Sequence, residues 1–204
     1  MGTQSLRHQL FLMAVTTVFA GLLATMSTAC HQTPMTLRTA AVDQNGEPVP
    51  YFPRIEAENL NKEPIILPDD LRGRPALVLV AFKRRQQTNV NTWLGMIPDI
   101  ELAVPGVRVI ETPTISGLKW GWMSGFIDGG MRSGIPDLAA RDRTITLYTD
   151  VGAFRRALGL GSTDEIYAVL LDAEGEVVGI EKGDYEPSKL ERLLDASAGD
   201  GLLD

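Results

Sequence analysis

The sequence predicts an α/β domain built as a three-layer sandwich, with a central mixed sheet and helices on both faces. Three observations carry this. Residues 75–84 (PALVLVAFKR) form a continuous apolar run rich in Val and Leu, the pattern of a strand buried on both faces of a parallel sheet. Strand-like and helix-like segments then alternate twice, which reads as two βαβ units. Finally, residues 166–171 and 176–180 flank Asp172-Ala173-Glu174-Gly175, an acidic, glycine-bearing turn that closes the sheet with an antiparallel hairpin.

The elements follow in order. Residues 87–102 place Val90, Trp93, Leu94 and Ile97 at helical spacing, and Pro98 predicts a kink or an early stop because it lacks an N–H and crowds the preceding turn. Residues 107–112 read as a second strand and 144–148 as a third. Asp150 is placed to cap a helix running to Leu158, with Gly159 and Gly161 as stop signals. A last helix starts at Pro187 and buries Leu190, Leu193 and Leu194.

The N-terminal segment is of another kind. Arg7 and His8 precede a mostly apolar run from Leu10 to Met26, followed by Ser27-Thr28-Ala29-Cys30: the charged, apolar and small-residue order of a secretory signal. Small residues before a cysteine also resemble the lipobox of bacterial lipoproteins, which would make Cys30 the acylated N-terminus. Plain cleavage before Cys30 and an uncleaved anchor are the alternatives, since 17 apolar residues are the lower limit for a span. The expected division is a signal peptide (1–29), a lipidated N-terminus and polar tether with one hairpin signal at Gln44-Asn45-Gly46 (30–53), and the domain (54–204). The expected location is outside the cytoplasm, lipid-anchored on the outer side of the cytoplasmic membrane or in the periplasm.

Charge and composition narrow the function. All 26 acidic residues and all but one of the 19 basic ones follow residue 29, so the domain is acidic and nucleic acid is excluded as a partner. The only cysteine is Cys30 and the only histidines are His8 and His31. No disulfide framework is possible.

The element order and the tracts LPDDLRGRPALVLVAF, YTDVGAFRRALGL and IYAVLLDAEGEVVGI resemble the thioredoxin-like superfamily in its peroxiredoxin-type branch, over residues 52–196. More distantly, Trp93 after the first strand, an arginine-rich middle and TITLYTDVGAFRRALGL are similar to the cysteine-free thioredoxin-like assembly factors of the mitochondrial F-type ATP synthase. The first resemblance implies a catalytic cysteine just after the first long strand, where the helix dipole lowers its pKa. Here that turn reads Lys83-Arg84-Arg85-Gln86-Gln87. Thiol peroxidase and disulfide-exchange chemistry are thereby excluded for the domain, and so are copper ligation and a Ser-His arrangement at Ser124. No catalytic residue, metal or cofactor is expected. The second resemblance implies an assembly role but no particular client, since a matrix-side factor works on the opposite side of the membrane from an exported lipoprotein.

Three groups are the candidate binding residues. Lys83, Arg84, Arg85 and Gln86 put positive charge at a helix N-terminus, against the dipole, which favours a nearby anion or carboxylate; intradomain pairing is the plainer explanation. Gly117, Gly121, Gly125 and Gly129 recur every four residues among Trp120, Trp122, Met123, Phe126 and Met131, which fits either close packing on the sheet or a docking stripe for a partner helix or membrane interface. Arg132, Arg141 and Arg143, with Arg155 and Arg156, flank Gly134-Ile135-Pro136-Asp137 and serve either a partner or their own loop. The glycine segment and the Lys83–Arg85 turn are expected to adjoin and form a contact surface, and Trp93 is counted among the candidate binding residues. The leading expectation is a membrane-tethered, redox-inactive domain that binds or helps assemble an envelope protein. The alternatives are a peroxiredoxin- or thioredoxin-type antioxidant or redox protein and a small anion-binding module.

Overall fold

Strand β3 (Ala76–Ala81) is the centre of the molecule, because its side chains alternate into two separate cores. The computed structural model describes residues 50–117 and 123–199. The signal segment, Cys30, the 44–46 turn, Trp120, Gly121 and Trp122 lie outside the described residues.

The sheet runs β5 (Leu147–Thr149), β4 (Arg108–Ser116), β3, β6 (Tyr167–Leu171), β7 (Val177–Lys182). β3, β4 and β5 are parallel, with Val78 opposite Ile110 and Thr114 opposite Leu147, while β6 and β7 close the other side antiparallel. On one face Ala76, Val78 and Val80 pack with Ile110, Leu147 and Val169 under Phe154 of α5 (Val151–Ala157) and Leu158, which caps its C-terminus. On the other, Leu77 and Leu79 meet Val90 and Trp93 of α1 (Gln87–Leu94), Ile100 of α2 (Ile97–Ala103), and Leu190 and Leu193 of α6 (Pro187–Gly199). This is the expected three-layer α/β sandwich, a central mixed sheet with helices on both faces. Each fully buried leucine contributes about 1.5–3 kcal/mol of burial free energy.

Local signals place the ends. The helix expected over 87–102 is two helices: α1 stops at Gly95, and Pro98 sits in the first turn of α2, where a missing N–H costs nothing. Asp150 caps α5 by accepting from the Ala153 N–H at 2.9 Å, and Gly159 ends it at φ 66°. In the β6–β7 turn the Asp172 carboxylate accepts from the Glu174 and Glu176 N–H groups (2.9 and 2.8 Å), and Gly175 takes φ 82°.

Three expectations change. The third strand begins at Leu147, since Thr144 and Ile145 make only isolated bridges to Glu111 and Asn59. The packed region reaches into the stretch assigned to the tether: Phe52 is 3% exposed and meets Phe154 edge-on at 5.6 Å. Ahead of the main sheet stands a hairpin that the sequence reading missed, β1 (Ile55–Glu58) paired with β2 (Pro64–Leu67). Two further helices, α3 (Ser124–Gly134) and α4 (Leu138–Arg143), connect β4 to β5. Among the described residues no helix is long and apolar enough to cross a membrane.

Candidate functional site

At the turn after β3, where the resemblance read from the sequence implies a catalytic cysteine, the chain makes hydrogen bonds to itself. Lys83 is extended, residues Arg84–Gln86 make one 3-10 turn, and α1 follows. Gln86 is 2% exposed. Its Oε1 accepts from the Phe82 and Lys83 N–H groups at 2.8 and 2.9 Å, and its Nε2 donates to the Thr163 carbonyl at 2.9 Å. A buried amide with both ends matched in this way costs little to desolvate and ties the turn to the loop before β6.

That loop also answers the basic charge. Lys83 Nζ donates to the Asp164 carboxylate, and Arg85 lies 3.8 Å from the same oxygen. Hydrogen bonding from Lys83, then from Ser162, holds the Asp164 carboxyl below its usual range. Tyr167 fixes the loop from beneath, its hydroxyl accepting from the Ser162 N–H and donating to the Ser162 carbonyl, both at 2.9 Å. The counter-charge for Lys83 and Arg85 is thus a carboxylate of the same chain, as the plainer expectation had it. Arg84 and Arg85 remain exposed at the rim.

Trp93 is a core residue, not a surface one: it is fully buried, its Nε1 donates to the Gly183 carbonyl at 3.0 Å, and its ring meets Tyr185 edge-on at 5.2 Å. Its place among the candidate binding residues is therefore withdrawn.

The glycine series divides. Gly117 is buried, and a Cβ there would stand 3.1 Å from the carbonyl carbon and oxygen of Tyr148, so its lack of a side chain serves packing against β5. At Gly125 and Gly129 a Cβ would meet nothing within 4 Å. Their helix, α3, is held by polar contacts. Tyr148 Oη lies 2.9 Å from Asp128 Oδ1 and 3.3 Å from the Ser124 carbonyl, while Arg132 Nε donates to the Leu60 carbonyl at 2.7 Å. Burial, then the adjacent Asp128 charge, pushes the Tyr148 hydroxyl above its ordinary pKa, so it stays a donor.

The remaining arginines act on their own loops. Arg141 donates to the carbonyls of Ile135 and Arg132, and Arg143 Nε lies 3.5 Å from the buried Glu111, whose other oxygen accepts from Gln87 Nε2 at 3.0 Å. Glu111 thereby links α4, β4 and α1. It was missed in the sequence, although a carboxylate directly after Val109-Ile110, within the second strand, signals a buried partner. Asp164, Tyr148 and Asp128 were missed as well, and no local pattern marks them. The basic turn and the segment after β4 leave the same end of adjacent parallel strands, Ala81 standing opposite Pro113. Among the described residues no group of three or more His, Cys, Asp or Glu is placed to hold a metal ion.

No protein family matches the sequence, and no curated protein does. Solved structures do. The exposed lipoprotein thioredoxin of Streptococcus pneumoniae is 17% identical over 70% of this chain and 98% of its own, with a TM-score of 0.44. BsSco, a member of the Sco family of cytochrome c oxidase assembly proteins, is 11% identical over 76% of this chain and 95% of its own, at 0.46. The thioredoxin domain of a thiol-disulfide oxidoreductase from Bacteroides vulgatus is 15% identical over 78% and 97%, at 0.43.

Proposed function

We propose that this chain is a membrane-tethered, redox-inactive thioredoxin-like lipoprotein of the peroxiredoxin-type branch that binds or helps assemble a protein of the cell envelope. Cys30 carries the lipid, and the domain works on the outer side of the cytoplasmic membrane or in the periplasm. One observation carries the reading: at the turn where this architecture would need a thiolate stands Gln86, buried and bonded at both ends to its own chain, in a domain with no cysteine after residue 30. An antioxidant or disulfide enzyme has no nucleophile here. An anion-binding module competes with Asp164 for Lys83 and Arg85.

The test has two arms. The full chain, wild type and Cys30→Ala, should consume no hydroperoxide and reduce no disulfide above the buffer rate; turnover that persists in Cys30→Ala sinks redox inactivity. A photo-crosslinking residue placed at Arg84 or Arg85 in cells should give a discrete adduct with an envelope protein. Adducts no different from those at the remote, exposed Leu102 would remove the client-binding claim.

A further inference from the structure

Helix α3 is amphipathic the wrong way round. Its only charged residues, Asp128 and Arg132, are half-buried and engage the rest of the domain at Tyr148 and Leu60. No residue of the helix is fully buried, and its exposed positions are Gly125, Phe126, Gly130, Ser133 and Gly134, without a single charge. Phe126 is 78% exposed. A surface helix of a soluble domain normally turns its charges to water and its aromatic residues to the core.

We propose that this face, centred on Phe126, rests on the lipid bilayer surface. The inference builds on the tethered reading above. From an acylated Cys30 to Pro50 there are twenty residues, 30–49, which reach at most about 70 Å, so the domain is confined near the membrane and the effective concentration of lipid at its surface is high. An uncharged, aromatic-bearing face suits the acyl boundary. In sequence it directly follows Lys119-Trp120-Gly121-Trp122, the residue types of a membrane interface. The domain as a whole is acidic, so the contact is apolar and insensitive to salt rather than an attraction to anionic headgroups.

The experiment uses the full chain, purified from membranes and reconstituted into phosphatidylcholine vesicles with brominated acyl chains. An environment-sensitive fluorescent amino acid is incorporated at position 126 or, as control, at the equally exposed position 102 on α2. Bromolipid should lower the emission at 126 by about twofold or more, unchanged by added salt, and leave that at 102 unaltered. Emission at 126 as unquenched as at 102, on vesicles that carry the protein, overturns the proposal. So does a discrete protein adduct from a crosslinker at 126 combined with absent quenching, which would give the face to a protein partner. If the chain does not float with vesicles and its Cys30 is unmodified, the tether reading falls. The face is then tested with excess free vesicles, where quenching at 126 still supports it and none overturns it.

Discussion

Gln86 and Asp164 keep the turn after β3 polar while answering its hydrogen-bonding groups and its charge from within the chain. Removing the Gln86 side chain leaves two N–H groups and one carbonyl without partners in a closed turn. Gln86→Ala should therefore lose about 2–3 kcal/mol in denaturant unfolding, while Arg84→Ala, at an exposed rim position, should stay within about 0.5 kcal/mol. Asp164 supplies a pH prediction. Its carboxyl is held low in the folded state, first by the hydrogen bond from Lys83, so the interaction is fully present above the ordinary carboxylate pKa and is lost as pH falls through the folded value. An NMR titration of the Asp164 carboxyl carbon should give a midpoint below about 3.9, returning upward in Lys83→Ala. A midpoint that does not respond to Lys83→Ala would mean that the pair contributes nothing in solution, the common fate of exposed ion pairs.

At the level of elements, α3 and its glycines separate packing from surface. Gly117→Ala should destabilise the protein, because the added Cβ would stand 3.1 Å from the backbone of β5, tighter than ordinary contact, and a hydrogen-bonded strand would have to shift to admit it. Gly125→Ala should be neutral or stabilising by up to about 1 kcal/mol, since the space is open and alanine is the better helix former. Equal losses at both positions in thermal unfolding would contradict this division. Tyr148→Phe should speed amide exchange in α3 and leave β3 and β6 protected, because it removes the hydroxyl that faces Asp128 and Ser124. The sequence showed only part of this. β3, the Asp150 cap, the break at Pro98 and the Asp172–Gly175 turn were readable because each is a local signal within a few residues. The β1–β2 hairpin escaped because its strands are four residues long: Ile55-Glu56-Ala57-Glu58 alternates over only two cycles, and Pro64-Ile65-Ile66-Leu67 does not alternate. The basic turn was visible, but its partner Asp164 stands 81 residues away, and only the crossing of β3 and β6 brings the two together. For Arg132 and Arg141 the sequence left a partner and their own loop as alternatives, since carbonyl acceptors leave no mark in a sequence.

The whole molecule is a sandwich whose two cores are closed by aliphatic and aromatic side chains, so its stability needs no thiol, and its one cysteine is free for attachment. Cys30 follows an apolar run and the small residues Ser27, Thr28 and Ala29, and acylation there would give it a purpose that the fold does not. Cys30→Ala should release the protein from the membrane fraction or leave it unprocessed. A single acyl chain binds membranes only marginally, so stable retention needs a second chain or a second contact, which the Phe126 face would supply. Mass spectrometry of the mature N-terminus discriminates the outcomes. An acylated N-terminus beginning at Cys30 establishes the lipoprotein. A soluble chain beginning at an unmodified Cys30 means plain secretion, and a membrane-retained chain that keeps residues 1–29 means an uncleaved anchor; either result removes lipidation from the account while leaving the cysteine-free domain, and the hydrogen-bonded Gln86 turn, unchanged.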